Sequence, residues 1–365
     1  MGVIIRATVA VATVAVTVLT SGAAPTPSPG TVRCGATLTS STTLTADLVC
    51  RNSDVGLRLA EGVVLDLGGF SLVGPGRGFG TAVTGGYTPT VRNGTIRGWN
   101  TGVMSEEADG GGAISHVLVT NTRLAIGSSL GGTATVESST LRGNDYGITT
   151  FQSTATVTDS VLRDNGSAVV VGSDYTTVRV QRSTLRGNDI AVDCEGGSLT
   201  VESARLVENG TGVRVDPFMC GADVVDSTVS RNEVGVSSSS TFPEGLGLLL
   251  ERNVFRDNTV AVDLQWSATV NDNEFRGNAT ALRTRTSTDP QWGPVVVRVT
   301  ANDFRRNGDA VVIDGLSELG SNTAVRNTGV GISAPGATDL GGNVAWGNGV
   351  EPQCVGVVCA GRPGA

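Results

Sequence analysis

Asp193 and Glu195, in the segment AVDCE (191–195), and Asp216, in VRVD (213–216), are the carboxylates whose spacing suits chemistry. Alternate residues of an extended chain share a face, so Asp193 and Glu195 point one way, as do Arg214 and Asp216. Were the two segments neighbours, the three acids would lie within a few ångströms of each other with Arg214 between them. Carboxylates that close can share a proton or hold a calcium ion, which is what a glycosidase or lyase needs. The same spacing also describes a solvated face held by cross-strand ion pairs. Asp263 with Gln265, and Arg283 with Arg285, continue the outward pattern. Trp266 and Trp292 lie in or beside the two longest irregular stretches, 237–247 and 284–293, and Phe242 lies in the first. Aromatic rings there suit stacking on sugar, and serve equally as hydrophobic lids.

Other chemistry has little to work with. The chain has one histidine, His116, and three methionines, too few for a zinc or copper site. His116 falls in a column of Ser and Asn at a bend, which makes it a capping side chain before a general base. A row of arginines, Arg97, Arg142, Arg163, Arg186, Arg256, Arg276, Arg305 and Arg326, follows the main apolar column. Such a row grips an acidic polymer or is neutralised by neighbouring Asp164, Asp257 and Glu251, and the second needs no ligand. Six cysteines suggest disulfides outside the cytosol: Cys34 with Cys50, Cys354 with Cys359, and then Cys194 with Cys220.

The elements that would position these residues are written as a repeat. ATVESSTLRGNDYGI (134–148) and LLLERNVFRDNTVAV (248–262) share one frame. A large apolar column runs Leu72, Ile96, Leu118, Leu141, Leu162, Leu185, Leu206, Val229, Phe255, Phe275, Phe304, Val325 and Ala345, and ten of its twelve spacings are 20 to 24 residues. That regularity marks a solenoid. Within each unit apolar and polar residues alternate at period two, break, and resume, so a coil holds about three short strands. Asn121, Asn144, Asn165, Asn188, Asn209, Asn232, Asn258, Asn278, Asn307 and Asn348 fall three residues after the apolar column. Stacked about 4.8 Å apart, they make an internal asparagine ladder. A leucine-rich repeat would need a second Leu where this chain has Ser or Asn, and a helix-forming stretch after the Asn.

Composition and termini agree. Residues 1–24 read as a signal peptide, 25–33 as a Pro-rich spacer, 34–59 as an N-terminal cap, 60–349 as the coils and 350–365 as a C-terminal tail. Lysine is absent and the net charge is −8, which disfavours nucleic acid and anionic membrane as general partners. No membrane span is expected after signal removal, and a monomer is expected.

CGATLTSSTTLTADLVC (34–50), GVVLDLGGFSLVGPG (62–76) and VRNGTIRGWNTGV (91–103) resemble the opening of secreted right-handed parallel β-helix repeat proteins. These belong to the pectin-lyase-like superfamily, with its carbohydrate-binding and sugar-hydrolysing repeats. The resemblance covers nearly the whole chain after the leader. It implies an all-β, right-handed single-stranded parallel β-helix of about 13 coils of 20–29 residues, secreted or at the cell surface. The handedness also follows the general bias of parallel crossovers. The superfamily's enzyme motifs are missing: there is no Asp-Asp, Gly-His-Gly or Arg-Ile-Lys, and no Trp-Ile-Asp-His or Arg-x-Pro-x-x-Arg. The expectation is a glycan-binding or structural surface module that binds through Arg214, Asp263, Trp266 and Trp292. The alternative is a polysaccharide lyase or glycoside hydrolase using Asp193, Glu195 and Asp216, with calcium as its one candidate cofactor.

Overall fold

The structure, a computed structural model, describes residues 32–216, 219–239, 247–285 and 296–362. They form an all-β parallel solenoid of about 14 turns. Each turn lays three short strands, as in Thr133–Glu137, Thr140–Arg142 and Tyr146–Phe151. Each strand pairs in parallel with its counterpart one turn on, giving a first, second and third sheet. The stacking extends beyond the expected coils. Ala36–Leu38, Thr42–Thr43 and Leu48–Val49 pair with the next turn, so residues 34–59 already contain a coil. At the other end Cys354–Val355 and Cys359–Ala360 still pair with the turn before. Disulfides Cys34–Cys50, Cys194–Cys220 and Cys354–Cys359 are present.

The core is the apolar column. Leu141, Leu162, Leu185 and Leu206 stack in register and are fully buried. Phe255, Phe275 and Phe304 continue it with near-parallel rings, their centroids 4.7 and 4.6 Å apart. The frame read from sequence slips by one residue in two turns. Val119, not Leu118, stacks between Ile96 and Leu141, and Ala324, not Val325, sits between Phe304 and Ala345. A one-residue slip exchanges inward and outward faces, so Leu118 is only half-buried. Asn121 consequently leaves the ladder and Asn327 enters it.

Asparagine rungs run from Asn144 to Asn348. Asn165 is typical: its Oδ1 accepts from the backbone N–H of Asn144 at 3.0 Å and from Asn144 Nδ2 at 3.1 Å. Its own Nδ2 donates to Leu141 O and to Asn188 Oδ1. Each buried amide is thus satisfied by the turns on either side, as burial requires. Thr122 closes one end by donating to Asn144 Oδ1, and Gln353 closes the other by accepting from Asn348. A second ladder, first Ser and then Asn, runs along the preceding bend from Ser139 through Ser160 to Ser183, is interrupted at Ala204, and resumes from Ser227 to Asn253, Asn273, Asn302, Asn322 and Asn343.

The residue before each rung turns the corner in the left-handed region. At the second bend Asp164, Glu208, Arg231, Asp257, Arg306 and Arg326 have φ between 55 and 58°, and Gly143, Gly187, Gly277 and Gly347 take the same position. Glycine enters that region without the steric cost a Cβ brings. His116 corrects an expectation: with φ 54° it is an exposed corner residue, and Val117 occupies the rung.

Candidate functional site

The third sheet carries the residues of interest in one outward row. Asp193 pairs in register with Arg214, Arg214 with Ser237, Ser237 with Asp263, and Asp263 with Arg283. Parallel strands place these positions on successive turns, so their order along the row follows directly from the repeat.

Ion pairing organises the row. Arg214 makes a bidentate fork with Asp193, its Nε donating to Oδ1 at 2.7 Å and its Nη2 to Oδ2. Asp193 is only 4% exposed although its column faces outward. The hydrogen bond from Asp193, and further the negative charge of Glu195, hold the Arg214 proton more tightly than usual. Farther along, Asp263 Oδ2 accepts from Arg283 Nη2 and Arg285 Nη2, both at 2.7 Å. Asp263 is 7% exposed. Its Oδ1 and the Nε of Arg283 are buried without a hydrogen-bond partner.

This geometry separates the acids. Asp193 and Asp263 are three turns apart, about 14 Å at the usual strand spacing. Paired glycosidase carboxyls stand about 5 to 9.5 Å apart. Glu195, within the strand Ile190–Glu202, and Asp216, just after the strand Thr211–Val215, are both exposed. Among the described residues, no three His, Cys, Asp or Glu groups converge to hold a metal ion. At Asp193 and Asp263 the row thus presents carboxylates held by arginine.

The aromatic expectation changes. Trp266 is 5% exposed, so its ring is buried and presents no open face for sugar stacking, the fate of most large apolar area beside a core. Trp292 and Phe242 lie outside the described residues. The arginine row on the second sheet is mostly neutralised: Arg163 meets Asp164 at 3.0 Å, Arg186 meets Glu208 at 2.8 Å and Arg305 meets Asp303 at 2.6 Å. Arg326 is not part of that row. It occupies a corner, and Val325 and Trp346 continue the row instead. Arg306 and Trp346 were not singled out from sequence; the available signal was the doubled arginine at 305–306.

The fold places the chain among parallel β-solenoid proteins. No protein-family model matches the sequence, and no curated protein matches it. Several solved structures are similar. A mutant of the periplasmic alginate epimerase AlgG is 12% identical, with a TM-score of 0.48 over 84% of this chain and 78% of that one. The A-module of the Azotobacter vinelandii mannuronan C-5 epimerase AlgE6 is 14% identical, with a TM-score of 0.44 over 90% and 91%. PfbA, a surface adhesin of Streptococcus pneumoniae, is 11% identical, with a TM-score of 0.34 over 91% and 84%. Identities and scores this low leave function to be argued from the chain's own residues.

Proposed function

We propose that this is a secreted or cell-surface β-helix that binds glycan along the outward row of its third sheet, without cleaving it. The observation that supports this is that Asp193 is held in the Arg214 fork and, three turns on, Asp263 accepts from Arg283 and Arg285 through one oxygen. With both oxygens engaged by Arg214, Asp193 has neither oxygen free to take a proton from a substrate. Rigid rows of guanidinium and hydroxyl groups recognise an extended polar chain with little ordering cost. Three disulfides fit an oxidising compartment.

A second reading rests on Asp263 Oδ1, buried with no partner. An unpartnered carboxylate oxygen beside two arginines is the one group in the row with basic capacity to spare, and it would serve a polysaccharide lyase or hydrolase.

The test is a panel of extracellular polysaccharides offered to the chain with and without calcium, scoring both binding and release of reducing or unsaturated ends. Binding without product, weakened about tenfold in Arg214→Ala or Arg283→Ala, supports the binding reading. Product formation that disappears in Asp263→Asn replaces it with the enzyme. Product formation that disappears in Asp193→Ala or Asp216→Ala moves the chemistry to the acids nearest Arg214. Calcium dependence of either signal would make the ion part of the site.

A further inference from the structure

A groove of about 330 Å³ opens near the C-terminal end of the solenoid, lined by Arg276, Arg305, Arg306, Val325, Arg326 and Trp346. We infer that it is an anion-binding site for a polysaccharide bearing carboxylate or sulfate groups. It lies on the second sheet and its corner, and so does not depend on the row at Asp193 and Asp263.

Charge carries the inference. Arg276 and Arg305 stack on successive turns, and each is paired on its own strand, with Glu274 and Asp303. Arg306 and Arg326 occupy the next corner on successive turns, and among the described residues neither has a carboxylate within ion-pair range. Four guanidiniums thus share two acids, a local excess of positive charge in a chain of net charge −8. Unpaired like charges on adjacent turns repel, and an anion between them removes the repulsion.

Two further features favour a bound group. The corner position accepts glycine at no steric cost, as at Gly277 and Gly347, yet here it holds two arginines in the left-handed region. Trp346 forms the wall, with the Arg326 guanidinium 5.3 Å and the Arg362 guanidinium 5.7 Å from its ring centroid. The cation–π contact holds the long Arg326 side chain at the groove rather than leaving it free in solvent. Arg306 and Arg326 precede stacked rungs on successive turns, so their guanidiniums offer two neighbouring anion positions to a linear polymer.

The chain is immobilised and offered polygalacturonate, dextran sulfate, neutral dextran and oligo(dT) at about 20 mM salt, where charges reach roughly 20 Å, and again at 150 mM, where they reach about 8 Å. Retention of polygalacturonate or dextran sulfate, but not of neutral dextran, is expected, and it should weaken with salt. Retention of the first alone assigns carboxylate, of the second alone sulfate ester, and both support the site. The variant carrying Arg306→Gly and Arg326→Gly should bind at least tenfold more weakly with an unchanged thermal melt, since glycine suits both corners. Retention lost in Arg214→Ala but kept in the double variant would place the polymer on the third-sheet row and overturn the assignment, which keeps the two sites distinguishable. Absence of both anionic polymers at low salt, unchanged retention in the double variant, or equally tight oligo(dT) would each overturn the assignment.

Discussion

The second-sheet ridge near Arg163 and the same ridge near Arg305 are built alike and charged differently. In the first stretch the corner residues are Asp164 and Glu208. Asp164 meets Arg142 and Arg163, and Glu208 lies between Arg186 and Arg231 at 2.8 and 3.0 Å. Hydrogen bonds from Arg231 and then Arg186 hold the Glu208 carboxyl below its ordinary range. In the second stretch the corners are Arg306 and Arg326, and no acid stands at either corner. Geometry is common to both, so the sign of one corner side chain decides whether the ridge is self-neutralised or left open to an anion. Repeat proteins allow this because each turn contacts only its neighbours, and one stretch can change without disturbing another.

The largest effect should come from what the two stretches share. Asn165→Ala and Asn307→Ala each strand the buried N–H and amide of the preceding rung, and each should cost about 3 kcal/mol in urea unfolding. A large cost at only one site would show that the two stretches are not equivalent scaffolds.

Copying the middle pattern into the C-terminal one comes next. Arg306→Asp places an acid beside Arg305 and Arg276 and should weaken retention of the anionic polymer by about 2 kcal/mol, roughly thirtyfold, read by titration at low salt. The reverse exchange should have a smaller effect. Replacing both Asp164 and Glu208 with glycine frees Arg142, Arg163, Arg186 and Arg231 and should raise polymer retention by roughly three- to fivefold. No change would mean that groove shape and Trp346 matter more than charge.

The smallest effect concerns pH. Asp159 and Asp226 are held low by hydrogen bonds from Arg182 and Arg252, as Glu208 is by its two arginines. Their folded forms bind protons less readily than the unfolded chain, so their contribution is complete above the ordinary carboxylate range. It is lost as pH falls through and below that range. The melting temperature should be flat from pH 7 to 5 in respect of these groups and fall modestly below about pH 4. All three are exposed, and added salt should shrink the drop. A melt whose acid limb is unchanged in Glu208→Gln would remove that pair from the account.

The solenoid itself was legible because its signals are local and repeated. A large apolar residue every 20 to 24 positions, with an amide three residues later, is enough to predict stacked parallel turns and an internal ladder. The exceptions are instructive. Around Leu118 and Val119, and again around Ala324 and Val325, two adjacent apolar residues fit the column equally well, and only pairing with the turns on either side chooses between them. The left-handed corners were hidden because Asp, Glu, Arg, Ser and Gly all occupy them, so no residue type marks the position.

The candidate row was legible as a set of outward residues, since period-two alternation places Asp193, Arg214, Asp263 and Arg283 on one face. Sequence alone determined the fold class, the stacked core and which side chains leave it, because these depend on spacing along the chain. Only the tertiary structure decided which acid meets which arginine, that Asp193 and Trp266 are buried, and that Arg306 and Arg326 stand without carboxylates. Those outcomes depend on the register between turns, where a shift of one residue exchanges every partner.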